Sequence, residues 1–108
     1  MMKICVVGAG AIGGLLAVKL AAAGHDVSVI IRGANLQAVR AAGMKLLIDG
    51  SELVAPVRAT DRIAEAGPQD IVILALKAHQ VAAVAADLDA LMQPSTMLVT
   101  AQNGVPWW

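Results

Sequence analysis

At 108 residues the chain has the length of one ordinary domain, and its 58% hydrophobic content includes no Phe, no Tyr and only the tryptophans Trp107 and Trp108. A core must therefore be built from Ala, Val, Ile and Leu, small side chains that let helices sit close to a sheet. With 8 basic and 8 acidic residues and a formal charge of zero, no basic stripe points to nucleic acid, and the single cysteine excludes an internal disulfide. There is no Cys/His cluster to hold a metal.

Lys3 to Val7 is nearly all apolar, as in a central parallel strand covered on both faces. Cys5 falls inside it and is expected to be a buried, inert thiol. Next comes Gly8-Ala9-Gly10-Ala11-Ile12-Gly13-Gly14, with three glycines at the spacing G-x-G-x-x-G. A helix is expected from about Gly13 to Ala23, stopped by Gly24. The motif thus stands where a strand turns into a helix, the context in which it binds a dinucleotide. Gly8 would permit the tight turn, Gly10 the approach of a pyrophosphate, and Gly13 close packing of helix on strand. The helix amino terminus would then offer unpaired N–H groups to the phosphates.

The same residues imitate a secretory signal: Lys3, an apolar run over 4–18, and Ala21-Ala22-Ala23-Gly24. Glycines within the run suit a turn better, and Lys19 interrupts it. The run also falls short of the roughly 20 apolar residues that span a bilayer. A cytoplasmic protein without membrane contact is expected.

His25-Asp26 reads as a turn, with His25 a solvated loop residue, and Val27 to Ile31 as the second strand, completing a right-handed βαβ unit. Arg32 follows, 19 positions after Gly13. An acid here would accept hydrogen bonds from the ribose of NAD; an arginine can meet the additional phosphate of NADP with a planar, permanently charged fork. Gly33 to Ala42 carries Leu36 and Val39 at helical spacing, and Gly43 stops it. Met44 to Ile48, Asp49-Gly50 and Glu52 to Val57 read as a hairpin, with Pro56 bending its second arm or placing it at an edge.

Asp61 to Glu65 gives at most two helical turns before Gly67-Pro68. Asp70 to Leu76 is a buried strand capped by Lys77. A helix is expected from Gln80 to Met92, with Val81, Val84, Leu88 and Leu91 on one face. Pro94-Ser95 turns the chain into a last strand from Met97 to Ala101, followed by the loop Gln102-Asn103-Gly104-Val105-Pro106. Strands alternate with helices throughout, so the fold class is α/β: a Rossmann-like, doubly wound, mainly parallel sheet with helices on both faces.

In such sheets ligands lie beyond the carboxyl ends of the strands. Gly8 to Gly13, Arg32, Lys77 to Gln80 and Gln102 to Gly104 each follow an apolar strand. Lys77 would set a cation near the pyrophosphate and nicotinamide ribose, and Asn103 both a donor and an acceptor beside the nicotinamide.

Gly8-Ala9-Gly10-Ala11-Ile12-Gly13-Gly14, Arg32, Leu76-Lys77-Ala78-His79-Gln80-Val81 and Gln102-Asn103-Gly104-Val105 together resemble the amino-terminal half of the ketopantoate reductase (2-dehydropantoate 2-reductase) family. The glycine motif is shared by many dehydrogenases; the other two segments are more specific. The resemblance covers essentially all 108 residues. It implies NADPH-dependent reduction of ketopantoate to pantoate, toward pantothenate. It also implies that Gly8, Ala9, Gly10, Ala11, Ile12, Gly13 and Arg32 hold NADP(H), that Lys77 and Gln80 line it, and that Asn103 positions cofactor and substrate. The family's catalytic lysine and glutamate belong to a second, helical domain beyond Trp108, so residues 1–108 are expected to bind the cofactor without catalysing the reaction. Competing readings are a nucleotide-binding regulatory domain without chemistry, which more often carries an acid where Arg32 stands, and the cofactor domain of another 2-oxo or 2-hydroxy acid dehydrogenase. An apolar surface formed by Met92, Val105, Trp107 and Trp108 is expected to drive self-association.

Overall fold

A computed structural model describes residues 2–8, 11–31, 33–48, 50–55, 57–76 and 84–100. Five parallel strands form the main sheet in the order β5-β2-β1-β6-β7. They are β1 (Lys3–Val7), β2 (Asp26–Ile30), β5 (Arg58–Thr60), β6 (Ile71–Leu74) and β7 (Met97–Thr100). A separate antiparallel hairpin joins β3 (Met44–Ile48) to β4 (Ser51–Ala55), in the register Ile48 opposite Ser51.

The strand period of two divides the apolar residues between two cores. Ile4 and Val6 of β1 join Val27, Val29, Ile31 and Ile73 on one face. Helix α1 (Ala11–Ala22) covers them with Ala17 and Val18, helix α2 (Gly33–Ala42) adds Leu36, and the hairpin adds Met44 and Ala55. Cys5 and Val7 point the other way, into a smaller cluster with Ile30, Val72 and Leu74. Ile63 of the short helix α3 (Ile63–Ala66) and Leu91 of a 3-10 turn over Asp87–Leu91 close that side. The predicted architecture, with helices on both faces of a parallel sheet, is thus present.

Three local expectations need correction. The stretch 58–60, for which the sequence pattern predicts no element, is β5, an edge strand of the main sheet. The expected continuous helix from Gln80 to Met92 is not continuous: residues 80–83 lie outside the described residues, and the chain from Asp87 tightens into the 3-10 turn. Val84, Leu88, Leu91 and Met92 pack against the second core, while Asp87, Asp89 and Ala90 are exposed. Met92 accordingly packs against the second core instead of joining an exposed patch, and Val105, Trp107 and Trp108 lie outside the described residues. Among the described residues, three consecutive large apolar side chains of β7, Met97, Leu98 and Val99, are exposed, besides the isolated Met2, Leu15 and Val54.

The amino-terminal edge of the sheet is tied by polar groups. The Lys3 amide donates to Asp70 Oδ2 at 2.8 Å, and the Met97 amide to the Asp70 carbonyl at 3.0 Å. Gln69, 2% exposed, donates through Nε2 to the Ala66 and Gly67 carbonyls, while its backbone carbonyl accepts from Gln93 Nε2 and Thr96 Oγ1. His25 accepts from the Met2 amide through Nδ1, a structural use of that loop residue.

Cys5 has no solvent exposure, and burial pushes its thiol from 9.0 up to about 12. At pH 8 the thiolate, the reactive form, is therefore about one part in ten thousand. A thiol-reactive dye should label the protein only in urea, and rapid labelling of the native state would contradict this burial. The unfolded thiol ionises near 9 and the folded one near 12, so its stabilising effect is full below pH 9 and is lost as pH rises toward 12. Urea unfolding across that window should show a steeper loss of stability in the wild type than in Cys5→Ala.

Candidate functional site

One row of residues runs across the carboxyl ends of all five strands. Thr60 pairs with Ile30, Ile30 with Val7, Val7 with Leu74, and Leu74 with Thr100. Backbone hydrogen bonds carry the pairing one residue further: the Gly8 amide donates to Ile30 O at 3.0 Å, Ile31 to Thr60 O at 3.0 Å and Ala75 to Val7 O at 2.9 Å. Strand order reverses at β1, whose neighbours β2 and β6 are reached by crossovers on opposite faces. A crevice at such a switch point is where doubly wound sheets take their ligands.

The turn out of β1 is built for close approach. Gly8 has φ +92°, and a Cβ there would stand 2.6 Å from Leu76 Cδ2 and 2.8 Å from the Ala75 carbonyl oxygen. Gly13, in the first turn of α1, would place a Cβ 2.5 Å from the Gly8 carbonyl oxygen and 2.8 Å from Ala75 Cβ. Only hydrogen fits at either position, so α1 begins hard against the ends of β1 and β6. Gly8 and Gly13 set the start of α1 against the strand ends, and the first N–H groups of a helix so placed suit a pyrophosphate group chemically. The Ala11 and Ile12 backbones form the start of α1.

Ala9, Gly10, Arg32, Lys77, Gln80 and Asn103 lie outside the described residues. Chain counting from the common row nevertheless shows where their segments leave the sheet: Gly8 is one residue beyond Val7, Arg32 two beyond Ile30, Lys77 three beyond Leu74 and Asn103 three beyond Thr100. The four segments therefore exit at one edge. At that edge lies a fifth exit, Thr60-Asp61-Arg62, which the sequence pattern does not signal because β5 is only three residues long. Thr60 Oγ1 donates to Glu65 Oε2 at 2.7 Å and accepts from the Arg62 amide at 3.1 Å, which fixes this exit. Among the described residues no group of His, Cys, Asp and Glu could hold a metal ion, and no helix is long and apolar enough to cross a membrane.

Residues 4–106 match the family described as ketopantoate reductase PanE/ApbA. A 2-dehydropantoate 2-reductase of Mesorhizobium japonicum is 53% identical over 108 residues, covering 99% of this chain and 33% of that protein. The crystal structure of a candidate ketopantoate reductase from Ralstonia solanacearum superposes with a TM-score of 0.89 at 50% identity, over 100% of this chain and 34% of that one. A D-mandelate dehydrogenase, in a ternary structure with NADH and anilino(oxo)acetate, gives a TM-score of 0.82 at 28% identity, over 96% of this chain and 34% of that one. The chain thus spans about one third of the length of these relatives. Matched along almost its whole length and carrying the glycine turn at the switch point of its sheet, the chain belongs to the ketopantoate reductase PanE/ApbA family.

Proposed function

We propose that residues 1–108 form the NADP(H)-binding domain of a cytoplasmic oxidoreductase that reduces 2-dehydropantoate to pantoate. The observation that supports this reading is that the strands preceding the glycine turn and the other candidate segments end on one row, at the sheet's switch point. Residues 8–13 would accept the pyrophosphate. Arg32 would pair with the 2′-phosphate, Lys77 and Gln80 would line the cofactor, and Asn103 would position the nicotinamide and the substrate carbonyl. The bound cofactor supplies a hydride; the chain's task is to orient it. A small-molecule 2-oxo acid, not nucleic acid or membrane, is the expected partner.

Calorimetric titration tests the cofactor assignment. A charge-assisted hydrogen bond contributes about 1.5–3 kcal/mol, which corresponds to a preference for NADPH over NADH of roughly 10- to 100-fold. Arg32→Ala should erase most of it. Equal affinity of the wild type for both cofactors would remove Arg32 from the site.

The mandelate dehydrogenase likeness favours a second reading, in which the same domain serves a different 2-oxo or 2-hydroxy acid. Assaying the full-length enzyme with 2-dehydropantoate and with benzoylformate separates the two.

Self-association belongs to the same proposal. β7 is one of the two edge strands of the main sheet among the described residues, with Met97, Leu98 and Val99 exposed by 60%, 48% and 38%. An apolar edge with unpaired N–H and C=O groups is a template for pairing with another chain. Residues 1–108 should sediment as a concentration-dependent dimer, and Leu98→Lys should return it to monomer. A wild type that stays monomeric at high concentration would refute this.

A further inference from the structure

We infer that Arg62 is a second cation for the phosphorylated ribose of the cofactor, an inference that rests on the NADP(H) reading above. The row at the carboxyl edge carries the argument. Ile30 and Thr60 are partners in it, so two residues further on the chain reaches Arg32 from β2 and Arg62 from β5. Neighbouring strands lie only about 4.8 Å apart, and the Ile31 amide bonded to Thr60 O closes the last rung from which both segments leave. β5 lies beyond β2 as counted from the glycine turn of β1. That is the side on which the residue following the second strand meets the adenosine ribose.

The exit from β5 is held in a defined shape, and its acids are partly engaged. The Thr60 hydroxyl bridges the Arg62 amide and the Glu65 carboxylate, so Glu65 is bonded to the turn. The Arg62 backbone is extended, with φ −113° and ψ 112°, and the residue is exposed. Among the described residues its guanidinium has no hydrogen bond or ion pair. Arg40 and Arg58, by contrast, are used at home: Arg40 Nε donates to the Ala59 carbonyl at 3.0 Å, and Arg58 Nε lies 3.4 Å from Asp26 Oδ1. A guanidinium with no partner among the described residues, two residues past the rung that β5 shares with the strand leading to Arg32, suits a dianionic phosphate, which offers more acceptor sites than one arginine can fill. Asp61, exposed beside it, opposes an anion and limits the gain to that of a solvent-facing pair.

The test uses the full-length enzyme and three probes: NADPH, NADH and adenosine 2′,5′-bisphosphate. Arg62→Ala should weaken NADPH and the bisphosphate by about two- to fivefold and leave NADH unchanged. Arg62→Lys should recover part of the loss. Because NADH lacks the extra phosphate, its unchanged binding also certifies that the variant is folded. Undiminished NADPH affinity in Arg62→Ala, or an equal loss for NADPH and NADH, overturns the role given to Arg62 while leaving the cofactor site standing. A wild type that binds neither nucleotide overturns the cofactor reading, and the Arg62 role with it.

Discussion

Gly13→Ala should destabilise the fold by about 1–3 kcal/mol, whereas Gly14→Ala, the next residue of the same helix, should stabilise it by about 0.5–1 kcal/mol. Both changes replace glycine by the best helix former inside α1, so propensity alone predicts a gain at each. Their surroundings differ. The Cβ added at Gly13 meets a backbone oxygen at 2.5 Å and a Cβ at 2.8 Å, neither of them the end of a flexible side chain. Relief requires α1 to move off the ends of β1 and β6, a rigid-body shift that a close-packed interior resists. The Cβ added at Gly14 meets nothing within 4 Å. Urea unfolding of the two variants reads the signs directly. The displacement at Gly13 would also widen the turn that begins at Gly8, so under the proposed function NADPH affinity should fall with Gly13→Ala and hold with Gly14→Ala. If both variants move stability in the same direction, the close approach of helix and strand is not as described.

The elements that sequence pattern reveals are those whose signal is local. Gly33 to Ala42 shows its amphipathic spacing and its stop at Gly43, and α2 occupies that range. Met44 to Ile48 shows a strand ending at the turn dipeptide Asp49-Gly50, and β3 occupies that range. β5 was hidden because three residues, Arg58-Ala59-Thr60, are too few for a period of two to emerge; pairing with β2 makes them a strand. Missing β5 meant missing its exit, so Arg62 was not counted among the residues at the carboxyl edge. The end of the region 84–92 was misread for a related reason. Its apolar residues sit at helical intervals, yet the packing of Leu91 against the second core is reached through a 3-10 turn, and spacing alone does not distinguish the two. The glycines of the motif are legible at both levels: the pattern names them, and the space around Gly8 and Gly13 shows why nothing larger stands there.

Residues 1–108 mixed with NADPH and 2-dehydropantoate should bind NADPH yet show no substrate-dependent loss of its absorbance. Reducing a 2-oxo acid needs the carbonyl held within about 3–3.5 Å of the hydride donor, and such positioning supplies roughly 7–11 kcal/mol of the barrier. It also needs a proton delivered to the developing alkoxide, which contributes typically about 10²–10⁴-fold in rate. The carboxyl edge of this sheet offers the glycine turn and, in the proposed roles, Arg32, Lys77, Gln80 and Asn103, all given to the cofactor or to orientation. Asn103 can hydrogen-bond a carbonyl but cannot donate a proton as an acid at neutral pH. The chain spans one third of its relatives, and the resemblance assigns the acid and most substrate contacts to the remainder. Both contributions to the barrier would therefore be lacking together, and turnover should fall below detection even with cofactor in place. Titration of NADPH in the same preparation is the control, because binding without turnover separates a missing acid from a misfolded domain. Measurable turnover by purified residues 1–108 would mean that Lys77 or His79 delivers the proton, and that the division of labour between the two parts of the enzyme is wrong.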